Sequence, residues 1–163
     1  MKPTKAFMAV ALAATLFFSC TSDSLSEENL TTIDLPEAPA AKVIEIEILE
    51  LINAHRISVG LEKLSFHRTV KAVAFTHTDY MIAAEYVSHD NFFLRKNSLI
   101  EKASATVVSE NVAYAYSSAE SVFNAWINSE GHKENIEGDF VYTDISAEVD
   151  DRGNWYFTNI FMK

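Results

Sequence analysis

The sequence predicts an α+β layered domain with its helices first and its strands last. Apolar residues keep helical spacing at Ile44, Ile48, Leu51, Ile52 and His55, and again at Val70, Val73, Ala74, His77, Met81 and Ala84. Near the other end, Val141, Thr143, Ile145, Ala147 and Val149 alternate with Tyr142, Asp144, Ser146 and Glu148, which is the period of a half-buried strand. No segment repeats, so solenoid and propeller architectures are excluded, and segregated helices and strands point to one layered core.

The first helix is expected over residues 42–58, with Gly60 as its stop. Val43 to Ile48 also alternates like a strand, but the longer run carries the helical period. The second helix is expected from His67 to Tyr86, which holds neither Gly nor Pro. Ala105 to Tyr116 is rich in Val, Tyr and Ala and predicts a strand running into a turn at Ser117 and Ser118. Ser117 followed by Glu120 fits a capping box before Val122, Phe123, Trp126 and Ile127, a third helix that Gly131 would end. After a short segment from His132 to Gly138, Asp150 to Asn154 supplies the turn that pairs the alternating strand with Trp155–Phe161. An antiparallel hairpin closes the chain, and the stretch between Asn91 and Ala105 is expected to be an exposed lid.

The N-terminus is an address. Lys2 and Lys5 precede an apolar run from Ala6 to Phe18, then Ser19 and Cys20, the layout of an export signal over residues 1–19. As a helix the run would be about 20 Å long, too short for a hydrocarbon core of about 30 Å. The segment Leu16, Phe17, Phe18, Ser19, Cys20 resembles a bacterial lipoprotein signal, which implies cleavage before Cys20 and acylation there. Residues 21–41 hold five acids, two prolines and no base, and read as a solvated tether with a typical reach of roughly 25 Å. Residues 42–163 are then the single folded domain, exported and held outside the cytoplasm by a lipid anchor at Cys20.

Composition removes several functions. A formal charge of −10 suits neither phosphate backbones nor anionic headgroups, so nucleic acid is not an expected partner. One cysteine excludes disulfide scaffolds, Cys-ligated zinc and thiol redox pairs. No phosphate loop, nucleophile elbow or zinc-binding HExxH helix is present.

Four segments between residues 49 and 161 together resemble the bacterial form of the CAP superfamily, also called the SCP or cysteine-rich secretory, antigen 5 and pathogenesis-related family. They are Leu51, Ile52, Asn53, His55, Arg56, Gly60, Leu61 and Leu64; then His77, Asp79, Met81, Ser88 and His89; then Glu110, Asn111, Val112 and Ala113; then Trp126, Ile127, Asn128, Ser129, Gly131, His132, Asn135 and Ile136. The resemblance implies a three-layer α-β-α sandwich with a mainly antiparallel central sheet. It also implies a cleft built from two histidines and two glutamates, which fall on His89, His132 and Glu110. The second glutamate has no match: Ser129 stands at its place, and Glu130 would point about 100° away on a helix. The family's strand glycine is replaced near Asp144, and its disulfides are absent.

Two imidazoles make His89 and His132 candidate ligands for a divalent cation (zinc, calcium or magnesium), with Glu110 holding a ring N–H. Such a site would be open and weaker than one with three or four protein ligands. His77 lies on the apolar stripe and reads as a core histidine, while His55 and His67 read as surface or packing residues. Asn53, Arg56 and Asn111 are expected to tie loop backbone, and Trp126, Trp155, Tyr156 and Phe157 to fill core. With no evident nucleophile, a surface-tethered module binding a small-molecule, lipid or protein ligand is favoured over an enzyme. A metal-assisted hydrolase of peptide, ester or glycan with Glu110 or a histidine as base is the alternative. A lipid or sterol carrier and a protein-interaction module are further alternatives.

Overall fold

A computed structural model describes residues 31–163. The expected signal at 1–19, Cys20 and the first part of the tether lie outside the described residues. The chain forms helices α1 (Val43–Ser58), α2 (Arg68–Ala84), α3 (Phe92–Ala103), α4 (Ala119–Ile127) and α5 (Glu130–Ile136), with strands β1 (Ser65–Phe66), β2 (Val108–Tyr114), β3 (Tyr142–Val149) and β4 (Trp155–Met162). The sheet order is β1-β3-β4-β2. β4 runs antiparallel to both β2 and β3, and β1 alone is parallel, so the sheet is mixed rather than wholly antiparallel.

Strand alternation divides the core into two halves. On one face Ala113, Ile145, Ala147, Phe157 and Phe161 meet Ile48 and Ile52 of α1 and Val122 and Trp126 of α4. On the other, Val108, Ile160 and Met162 meet Val70, Val73 and Ala74 of α2 and Leu99 of α3. Helices on both faces of one sheet make the expected three layers. Ile33 and Leu35, assigned by composition to the tether, pack against this second cluster, and Ile33 N–H donates to Ser98 Oγ at 2.8 Å. The last part of the expected tether thus contacts the domain.

α1 is a helix despite its alternating start because Glu45, Ile48, Ile52 and Arg56 form one buried stripe. Gly60, at φ +84°, follows it where a side chain would be strained. Three expectations are corrected here. The segment 92–103 is not an exposed lid but helix α3, with Arg95, Ser98 and Leu99 buried. The capping box before α4 uses Ser118 and Ser121, not Ser117 and Glu120: each serine hydroxyl accepts the other's backbone N–H, at 3.2 and 3.1 Å. Gly131 does not end the third helix, which stops at Ile127, with Ser129 as N-cap of the separate α5.

β1 pairs only with Tyr142 and Thr143, leaving the outer edge of β3 without a strand beyond them. Side chains fill it. Glu45 Oε1 accepts Ala147 N–H at 2.8 Å, Lys71 Nζ donates to Ile145 O at 2.6 Å, and Lys71 and Glu45 Oε2 pair at 2.6 Å. Asp144 Oδ1 accepts Ile145 N–H at 2.9 Å. A buried ion pair thus satisfies edge groups that would otherwise invite another strand.

Candidate functional site

Glu110 sits in the middle of β2 with its side chain 1% exposed. Arg95 of α3 grips both carboxylate oxygens, Nε to Oε2 at 2.6 Å and Nη2 to Oε1 at 2.7 Å. His89 Nδ1 meets Oε1 at 2.8 Å. Burial pushes the Glu110 carboxyl upward, but the His89 and Arg95 hydrogen bonds and the Arg95 charge outweigh it and hold the group below the usual glutamate range. Glu110 is an ionised anchor whose acceptors are already in use.

His89 lies on the loop joining α2 to α3, which leaves α2 at Glu85 and enters α3 at Asn91, both with φ of 57°. Arg95 Nη1 donates to Asp90 O at 2.6 Å, and Asp90 N–H donates to Ser88 Oγ at 3.2 Å. His77, in the core as expected, places its Nε2 2.7 Å from Ser88 O. A carbonyl only accepts, so Nε2 carries the proton. Burial, the largest influence, pushes the His77 pKa down. Its ring stacks on Tyr80, whose hydroxyl donates to Asp90 Oδ2 at 3.0 Å. The loop is thereby fixed at Ser88 and Asp90, on either side of His89. Because an ionised carboxylate only accepts, Nδ1 of His89 carries a proton, which in the neutral ring puts the lone pair on Nε2; the ring is 52% exposed.

His132 sits on α5, bolted to the same strand. Asn111 Nδ2 donates to His132 O at 3.0 Å, and Asn135 Nδ2 donates to Asn111 Oδ1 at 2.8 Å. Burial first, then the nearby His89 charge, pushes the His132 pKa down, so its ring is neutral at neutral pH. Its Nδ1 is buried without a hydrogen-bond partner. Beside it lies an open cavity of about 520 Å³ with Val112, Tyr114, Tyr116, Trp126 and Ser129 on its walls. Ser129 is among the residues lining this cavity and Glu130 is not.

Arg95 is the site residue that sequence reading missed. Its signal was the helical spacing of Phe92, Arg95 and Leu99 inside the presumed lid. The remaining polar residues are structural. Asn53 exchanges hydrogen bonds with Leu64 N–H and O, and Arg56 donates to the carbonyls of Glu62, Ile136 and Gly138. His67 caps α2, and His55 pairs with Glu137 at 2.8 Å, an acid its own helix could not supply.

The cysteine-rich secretory protein, or CAP, family matches residues 49–159. The chain belongs to the CAP family. The match runs from Leu49 within α1 to Asn159 within β4, and so contains His89, Glu110 and His132. An uncharacterised membrane protein of Bacillus subtilis is 33% identical over 122 residues, 73% of this chain but 34% of that protein. A second uncharacterised B. subtilis protein is 32% identical over 117 residues, 68% of this chain and 44% of its own length. The CAP chain thus spans less than half of these curated relatives. Among solved structures, an outer surface protein of Borrelia burgdorferi superposes with a TM-score of 0.66 at 21% identity, covering 78% of this chain and 98% of that one. An extracellular SCP-domain protein of Bacillus anthracis gives 0.61 at 23% identity, covering 73% and 40%. These likenesses establish the CAP fold.

Two imidazoles, with a buried carboxylate behind one of them, fit a divalent cation as ligands and support. No group of three or more His, Cys, Asp or Glu side chains gathers for a metal among the described residues. Two protein nitrogens would leave the remaining positions to water or ligand.

Proposed function

We propose that this CAP protein is an exported module, anchored through lipid on Cys20, that binds a ligand in the His89–Glu110–His132 cleft with a divalent cation as bridge. The occupation of both Glu110 oxygens carries this reading. A carboxylate gripped by Arg95 and His89, with its pKa depressed, orients an imidazole well and accepts a substrate proton poorly. That argues against Glu110 as the base of a hydrolase. The walls beside His132 are aromatic and apolar, suited to a ligand that offers a flat or apolar face near its metal-binding group. When bound, the cation would supply Lewis acidity and a fixed charge, while His89 and His132 hold it.

Zinc titrated calorimetrically into the intact protein is expected to bind with one equivalent, and the His89→Ala, His132→Ala double variant to bind at least about tenfold more weakly. Equal heats in both proteins would overturn the reading. For the anchor, Cys20→Ser is expected to shift the protein from the membrane fraction to the soluble one, since acylation supplies about 0.8 kcal/mol per buried CH2. Unchanged membrane retention would contradict it.

A further inference from the structure

A second cavity, about 590 Å³, lies on the far side of α1 from α4, where α1 faces β1 and the outer edge of β3. Its size is within the range of about 300–1,000 Å³ seen for small-molecule sites. Its walls are apolar: Ile46, Leu49 and Ile57 on α1, Phe66 on β1 and Ile145 on β3. Phe66 is 71% exposed, and Ile46 and Ile57 are about half exposed, so the rim is apolar as well. The cleft histidines are not among its lining residues.

One charge faces this groove from within the protein. Asp144 is nine-tenths buried and lines the cavity, yet no Lys, Arg or His nitrogen lies within 4.0 Å of its carboxylate among the described residues. Lys71, the nearby cation, is committed to Glu45 Oε2 and Ile145 O. The other carboxylates on the wall are Glu45 and Glu50, against Lys63 alone. Burial pushes the Asp144 carboxyl up to about 6 against the opposing pull of Lys71 and of the Ile145 and His67 backbone N–H groups. An added strand is not the missing partner, because Ile145 already spends its edge N–H and carbonyl on Asp144 and Lys71, and Ala147 its N–H on Glu45.

We propose that this groove binds an amphiphile consisting of an apolar chain with a cationic amine head, the amine seated on Asp144 and the chain lying between α1 and Phe66. An anionic head would meet three carboxylates. A neutral head would leave the buried charge with only the Ile145 and His67 backbone N–H groups as partners.

The test uses n-octylamine, n-decylamine, n-octanol and octanoate with the intact protein, followed by calorimetry and backbone amide shifts. Saturable amine binding is expected, tightening about fourfold for each added methylene, with shifts centred on Ile46, Ile57 and Phe66. Asp144→Asn keeps the acceptor for Ile145 N–H and is expected to weaken octylamine at least about tenfold while changing octanol less than about twofold. Ala54→Trp, on the exposed side of the lining, fills the groove without touching the core and is expected to abolish both. Octanol or octanoate binding as tightly as octylamine, an equal loss of amine and alcohol in Asp144→Asn, or shifts centred on His89 and His132 would each overturn the proposal, as would no saturable amine binding.

Discussion

Replacing Arg95 with methionine is expected to cost about 3–5 kcal/mol of stability at pH 8, since it strands the Glu110 carboxylate inside the fold beside the half-exposed His89 and the buried His77, whose Nε2 lies 3.8 Å away. For a domain of this size that is a fall of roughly 10–20 °C in melting temperature. The sign of its pH dependence is diagnostic. In the wild type Glu110 titrates below its ordinary value, so its contribution is present above that value and is lost as pH falls through the lower folded pKa. In the variant, burial acts without the guanidinium and pushes the pKa up, so the variant loses stability as pH rises. The gap between the two proteins is therefore widest at pH 8 and narrows toward pH 4, as thermal melts across that range would show. Arg95→Lys, which keeps the charge but loses the two-pronged grip, is expected to fall between them. A gap independent of pH would mean that Arg95 serves packing alone.

The second large effect belongs to Lys71→Met. Lys71 is buried on α2, and its ammonium neutralises Glu45 while donating to Ile145 O. Removing it leaves a buried carboxylate and an edge carbonyl without their partner, at about 3–5 kcal/mol. Glu45 also accepts the backbone N–H of Lys42 at 2.7 Å and of Ala147, so the same carboxylate starts α1 and seals β3. Glu45→Gln preserves acceptance from one backbone donor and removes the charge. In the double variant the charge stranded by Lys71→Met is gone, and the two losses should fall short of additive by about 1–3 kcal/mol in denaturant melts. Strict additivity would show that the two groups act separately.

What the sequence disclosed depended on whether the governing force was local. α2 follows from its apolar period, and the β3–β4 hairpin from the alternation in β3 and the turn after it, although both strands are buried on both faces because helices cover each side of the sheet. α3 was hidden because Phe93 and Ile100 break its polar face, and because a buried arginine looks like a surface residue until its carboxylate is located 15 residues away. β1, only two residues long and exposed at both of them, has no periodic signature. The α4 cap was displaced by one residue because four polar residues, Ser117, Ser118, Glu120 and Ser121, offer two registers. Family resemblance placed His89, Glu110 and His132; packing assigned Glu110 its duty as an anchor and gave Asp144 its unpaired burial.

The central claim is that Glu110 holds His89 with Nε2 free beside a neutral His132. Imidazole ¹H–¹⁵N correlation spectra of the intact protein at pH 7.5, recorded as zinc is added, test it most directly. The account predicts a His89 ring protonated at Nδ1 before zinc, and shifts at both His89 and His132 that saturate near one equivalent while His55, His67 and His77 stay still. A His89 ring protonated at Nε2, or rings at 89 and 132 that ignore the metal, would contradict it.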